Sequence, residues 1–176
     1  MQNQCHAEFC FYTAMNICLY KPEIPQNTGN IGRICVCTNS RLHIIGEPSF
    51  SLSDTAVKRA GLDYWPRLDL SLHEDWQTFN KNLAGSNGRT ILITKFANNS
   101  YADFKFRMDD RLVFGQETSG LPAEIVQEIK EAHPENILRI PVMDDCRSLN
   151  LANAVSIVLF EALRQNGFPG LKNIYL

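Results

Sequence analysis

Short apolar runs alternate along the chain with stretches whose apolar positions recur every three or four residues. NICLY (16–20), RLHII (41–45), TILIT (90–94), RLVFG (111–115) and ILRIP (137–141) are brief, rich in β-branched residues and bounded by Gly, Pro or Asn. That is the pattern of buried strands. A further strand is expected near 65–70. Helical spacing is read at 29–38, 53–61, 74–84, 122–132 and 150–165, whereas 98–110 is polar, irregular and read as a loop. Strands that alternate with helices predict an α/β fold, with a mostly parallel sheet and helices on both faces.

Punctuation agrees with these elements. Ser53 and Asp54 make a helix-capping region that closes at Gly61, Pro122 stands at a first-turn position, and Asn150 is placed to cap the last helix before Gly167 and Pro169 stop it. That last helix is apolar at Leu151, Ala154, Val155, Val158, Leu159 and Ala162. It therefore buries most of its surface, in the core, in a dimer interface, or in both.

At 176 residues, the length suits one domain, which we read as 15–176. Residues 1–14 carry two Cys and three aromatics without a clear period, and are read as an N-terminal extension or a non-native start. No apolar run reaches the roughly 20 residues that span a bilayer, and the absence of a basic segment before the apolar residues 5–20 argues against a signal peptide. The net charge of −2 excludes a uniformly basic nucleic-acid coat but not a local cluster, for which Arg33, Arg41, Lys58, Arg59 and Arg67 are candidates. Six cysteines without CxxC pairs indicate neither a zinc site nor a disulfide framework, and a reducing cytoplasm is the expected location.

Three segments hold more Gly, Pro and polar residues than their elements require. PEIPQNTGNIGR (22–33) follows a strand and leads into a helix. Its Asn27, Thr28 and Asn30 either cap that helix or bind phosphate and ribose, and Arg33 is expected to face the same opening. A capped helix start explains the segment equally well. FGQETSGLP (114–122) lies outside the carboxyl end of a strand, where open α/β sheets bind ligands. Its one carboxylate, Glu117, is either an exposed loop acid or an acceptor for a ligand or for backbone amides. RIPVMDDCRSLNLANAVSIVLFEALRQ (139–165) closes a strand and opens the last helix. The four histidines are dispersed, so no nucleophile–base pair and no metal-ligand set emerges.

In this order the three segments resemble the motifs of the SPOUT superfamily of RNA methyltransferases, over about Met15 to Gly170. YKPEIPQNTGNIGR and AGLDYW (60–65) bring the match closest to the small YibK-like branch. The resemblance implies a deep C-terminal trefoil knot from about Leu112 onward. It also implies S-adenosyl-L-methionine as cofactor with S-adenosyl-L-homocysteine as product, and a homodimer. The implied reaction is methylation of the ribose 2′-oxygen of the wobble cytidine or uridine, position 34, of leucine tRNAs. Ile93, Thr94, Gly115, Glu117, Gly120, Ile140, Ser148, Leu149 and Asn150 would surround the cofactor. Arg33 and Asn27 would serve catalysis, with no metal and no membrane involved. The chain departs from the family at Gly32, often a larger aliphatic residue, at Asp145 and Cys146, often Pro and Ser, and at Phe160, often Tyr. Other readings of the same motifs are a SPOUT enzyme for rRNA or another tRNA position, and a non-catalytic RNA-binding protein.

Overall fold

A computed structural model describes residues 14–52, 64–83 and 85–172. Seven short strands form one sheet: β1 (Asn16–Tyr20), β2 (Arg41–Ile45), β3 (Leu70–His73), β4 (Thr90–Ile93), β5 (Asn99–Ser100), β6 (Arg111–Phe114) and β7 (Ile137–Arg139). Their order is β3-β2-β1-β6-β4-β7-β5, and every neighbouring pair is parallel. The described helices are α1 (Pro25–Thr38), α2 (Trp76–Asn82), α3 (Ala123–Ala132) and α4 (Leu151–Gln165).

Alternation along the strands divides the core into two layers. Ile17, Leu19, Ile91, Leu112 and Phe114 face α1 and α4, where they meet Ile31, Cys35, Val155, Leu159 and Ala162. Cys18, Leu92 and Val113 face the other way and pack with Trp76 and Phe79 of α2 and with Ile125 and Ile129 of α3. Strands buried on both sides need no polar face, which is why their sequences read as short continuous apolar runs.

Three expectations need correction. The strand foreseen near 65–70 is a 3₁₀ turn over Trp65–Arg67 followed by β3 at Leu70–His73. Pro66 has no N–H to give to a ladder, so pairing begins only beyond it. The irregular 98–110 stretch contains the two-residue strand β5. Finally, α1 starts at Pro25, not at 29, so Asn27, Thr28 and Gly29 belong to a helix rather than to a loop. The predicted helix at 53–61, the basic residues Lys58 and Arg59, and residues 1–13 of the N-terminal segment lie outside the described residues.

Both ends of α4 behave as their sequence indicates. The Asn150 side-chain oxygen accepts from the Ala152 and Asn153 amides at 2.9 and 3.3 Å. At the other end Gly167 takes φ 74°, Phe168 N–H donates to Leu163 C=O and Gly167 N–H to Arg164 C=O, the pairing of a Schellman stop.

Candidate active site

Helix α1 begins without a cap of its own: the residue before it is Ile24, which has no side chain able to accept. The missing acceptor comes from the loop after β6. The Glu117 carboxylate accepts from Glu23 N–H at 2.8 Å, Ile24 N–H at 3.2 Å and Asn27 Nδ2 at 3.0 Å. In return the Glu23 carboxylate accepts from Thr118 N–H at 2.9 Å and from the Thr118 hydroxyl. Two segments more than 90 residues apart thus cap each other, and the anion stands where a helix N-terminus favours it.

The chain of bonds continues into the third segment. Asn150 Nδ2 donates to Asn27 Oδ1 at 2.9 Å, while Asn150 Oδ1 caps α4. Glu117, Asn27 and Asn150 therefore join the starts of α1 and α4 to the β6 loop, and each amide has its orientation fixed by a partner on either side.

The β6 loop is itself tightly closed. Gln116 and Gly120 exchange two backbone hydrogen bonds of 3.0 Å. A Cβ on Gly115 would lie 2.2 Å from the Gly120 carbonyl carbon, so only glycine fits there. Gly120 takes φ 74°, and a Cβ on it would meet no atom within 4 Å.

These loops, with the turn after β4, wall one cavity of about 600 Å³ at the carboxyl ends of β4, β6 and β7. Ile93, Thr94, Gly115, Glu117, Gly120, Ile140, Ser148, Leu149, Asn150 and Asn27 all line it. The structure thus gathers all nine candidate cofactor residues and one of the two candidate catalytic residues. Motif reading passed over Lys95, Phe96, Gln116, Thr118, Ser119 and Val142, which also line the cavity. Their positions next to the candidates were the one signal that pointed to them.

Arg33 is elsewhere. It does not line the cavity, contrary to the expectation that it faces the same opening as Asn27. With α1 starting at Pro25, Arg33 falls in the third turn, and six residues at about 100° each turn it roughly 120° away from Asn27. Its side chain is exposed, with the guanidinium 4.9 Å from the centre of the Tyr64 ring. Gln26, Asn30, Arg33 and Cys37 form one exposed stripe of α1. Thr28 is fully buried, and its hydroxyl has no hydrogen-bond partner among the described residues. At Gly32 a Cβ would lie 3.2 Å from Trp65 Cζ3 and 3.3 Å from Leu68 Cδ2, so here the indole takes the space of a larger residue.

A parallel sheet that gathers three loops around one cavity, with the last helix rising from the third, is the build of a SPOUT-type methyltransferase. The SpoU rRNA Methylase family model matches residues 14–160, and the chain belongs to that family. Among similar sequences, the tRNA (cytidine(34)-2′-O)-methyltransferase of Escherichia coli strain K12 is 43% identical over 156 residues, covering 89% of this chain and 96% of that protein. A solved structure described as giving insights into 2-OH methylation of C/U34 on tRNA superposes with a TM-score of 0.81 at 39% identity, over 88% of this chain and 97% of the other. In fold alone, the SpoU methyltransferase AviRb from Streptomyces viridochromogenes, in complex with AdoMet, also superposes. Its TM-score is 0.76 at 21% identity, over 92% of this chain and 60% of that one.

Proposed function

We propose that this protein is a cytoplasmic, homodimeric, S-adenosylmethionine-dependent tRNA 2′-O-methyltransferase acting on the wobble cytidine or uridine, with leucine tRNAs as its substrates. The observation that carries the reading is the single cavity into which all nine motif-derived cofactor residues converge. Its volume falls within the range that encloses a cofactor-sized ligand. Much of its wall comes from the segments that follow β4, β6 and β7, and the open space beside Gly120 leaves room for a ligand where a side chain would intrude.

Bound in the cavity, S-adenosylmethionine would supply a sulfonium methyl: the S–CH3 bond would break as the O2′–CH3 bond forms, the hydroxyl proton would pass to solvent, and S-adenosylhomocysteine would be the product. The protein's part in such an in-line transfer is alignment and charge. Glu117 and Asn150 spend their hydrogen bonds holding Asn27 and the two helix starts, so they act by keeping the cavity in shape. Arg33 carries a guanidinium, which is a poor base. Its planar fork suits a phosphate beside the target ribose and the negative charge that develops on O2′.

Because Arg33 does not line its own chain's cavity, the reading requires a second copy to complete the site. Support for a homodimer comes from α4, whose exposed stripe Asn153, Ile157, Phe160 and Arg164 carries two large apolar side chains beside α1. The expected knot belongs to the same reading. It is supported by the placement of β6 between β1 and β4 and by the return of α4 to the α1 side of the sheet after β7. Among the described residues no helix is long and apolar enough to cross a membrane.

Incubation with methyl-labelled S-adenosylmethionine and either bulk tRNA or rRNA, followed by nucleoside analysis, tests the proposal. Label in 2′-O-methylcytidine or a 2′-O-methyluridine from tRNA is the expected result. Label in rRNA, or on a base nitrogen, would replace it with a different SPOUT activity.

A further inference from the structure

Seven large apolar side chains are notably exposed among the described residues, and three of them, Ile24, Phe96 and Leu149, line the one cavity described above. A fourth, Met143, follows the cavity residue Val142. Phe96 is the extreme case, at 79% exposure. Its position is no accident of a slack loop. Thr94 closes the turn from both sides: its hydroxyl accepts from Phe96 N–H at 3.4 Å and its carbonyl from Ala97 N–H at 3.4 Å. Thr94 N–H in turn donates to Leu138 C=O at 2.9 Å, and Ala97 is buried, so the backbone on either side of the ring is anchored to the sheet and core. The Lys95 ammonium stands 5.0 Å from the ring centre.

A phenyl ring turned to solvent from an anchored turn, with a cation at its side and a reaction cavity at its foot, has the properties of a stacking platform for a nucleotide. Bases of single-stranded RNA loops are held by stacking on aromatic faces, while cations take the adjoining phosphates. We infer that Phe96 is the platform on which the base of the methyl-accepting nucleotide stacks, with Lys95 engaging its phosphate. The inference rests on the tRNA methyltransferase reading above and deepens it. Stacking needs a flat ring and reads no hydrogen-bonding edge. A site built this way accepts cytidine and uridine alike, in keeping with the C/U34 chemistry of the structural relative.

The test uses the full-length enzyme with Phe96→Ala and Phe96→Trp, measuring KM and kcat with tRNA, cofactor affinity by calorimetry, and the melting temperature. Phe96→Ala should raise the KM for tRNA by roughly 5- to 150-fold, the value of one lost base stack. Phe96 lines the cavity yet is 79% exposed, so cofactor affinity should fall far less than KM rises, and the melting temperature should stay at the wild-type value. Phe96→Trp should restore KM, since indole offers an equal or larger face. Phe96→Ala with a wild-type KM overturns the inference while leaving the methyltransferase reading intact. A parallel loss of cofactor affinity overturns it too, assigning the ring to the cofactor. A wild-type enzyme that binds the cofactor but methylates no tRNA overturns the underlying reading and this inference together.

Discussion

Replacing Glu117 with glutamine keeps the shape of the side chain and removes its charge. The best orientation of the new amide leaves its oxygen toward Ile24 N–H and Asn27 Nδ2 and turns its NH₂ against Glu23 N–H, now 2.8 Å from the second carboxylate oxygen. One charge-assisted hydrogen bond is lost, about 1.5–3 kcal/mol. The favourable placement of an anion at the start of α1 goes with it, about 0.3–1 kcal/mol. Because the group is half-buried and water can enter, about 2 kcal/mol in total is expected. For a chain of this size that lowers the melting temperature by roughly 4–8 °C. Cofactor affinity should fall as well, because the same carboxylate holds the cavity-forming loop against α1. Calorimetric melting and cofactor titration of Glu117→Gln, Asn27→Ala and the double variant are the assay. Since both residues belong to one bonded chain, the double variant should be less damaging than the sum by at least about 0.5 kcal/mol. A Glu117→Gln protein with wild-type melting and affinity, or strict additivity with Asn27→Ala, would refute the reasoning.

Other outcomes follow from particular contacts. Asp110 is fully buried and pairs through both oxygens with Arg89, at 2.9 and 2.7 Å, so Asp110→Ala should cost about 3 kcal/mol in denaturant unfolding by leaving that guanidinium without its partner. Burial, assisted by the adjacent His73, holds His43 down to about 4, and burial lowers His73 too. The unfolded chain then binds more protons than the native one between about pH 6.5 and 4, so stability should decline as pH falls through that window, by about 2 kcal/mol at pH 5 from His43. Urea midpoints at pH 7.5 and 5 check this, and a flat profile contradicts it. Gly120→Ala should lose about 1 kcal/mol of stability through its positive φ and weaken cofactor binding by intruding on the cavity, as calorimetry would register. Arg33→Lys should lose most turnover with melting unchanged, because an ammonium lacks the planar fork; near wild-type turnover contradicts the role proposed for Arg33.

Where local chemistry decides structure, the sequence was a good guide. The runs at 16–20 and 41–45 are β1 and β2 to the residue, and Asn150 caps α4 as its position implies. The start of α1 was hidden for a physical reason: its cap, Glu117, arrives from 94 residues further along the chain, so Ile24 offers no capping side chain and Pro25 at the first helical position is the one local signal. The same error led to Arg33, since a helix begun at 29 would put that residue in its first turns, near Asn27. Motif likeness drew together the cavity residues because they sit in the segments that follow β1, β4, β6 and β7. It reached Phe96 only as a neighbour of Thr94, because what sets that aromatic ring apart is its exposure beside a cavity. Nor could it foresee the Glu23–Thr118 exchange, which exists only once β1 and β6 lie side by side.

Methyl transfer to one ribose hydroxyl can be tested by a single-atom change in the substrate. Two leucine tRNAs are prepared, identical except that one carries a 2′-deoxyribose at position 34, and each is incubated with the enzyme and methyl-labelled S-adenosylmethionine. About one methyl per molecule is expected on the ribose tRNA and none on its deoxy counterpart. Equal labelling of both would contradict transfer to that hydroxyl.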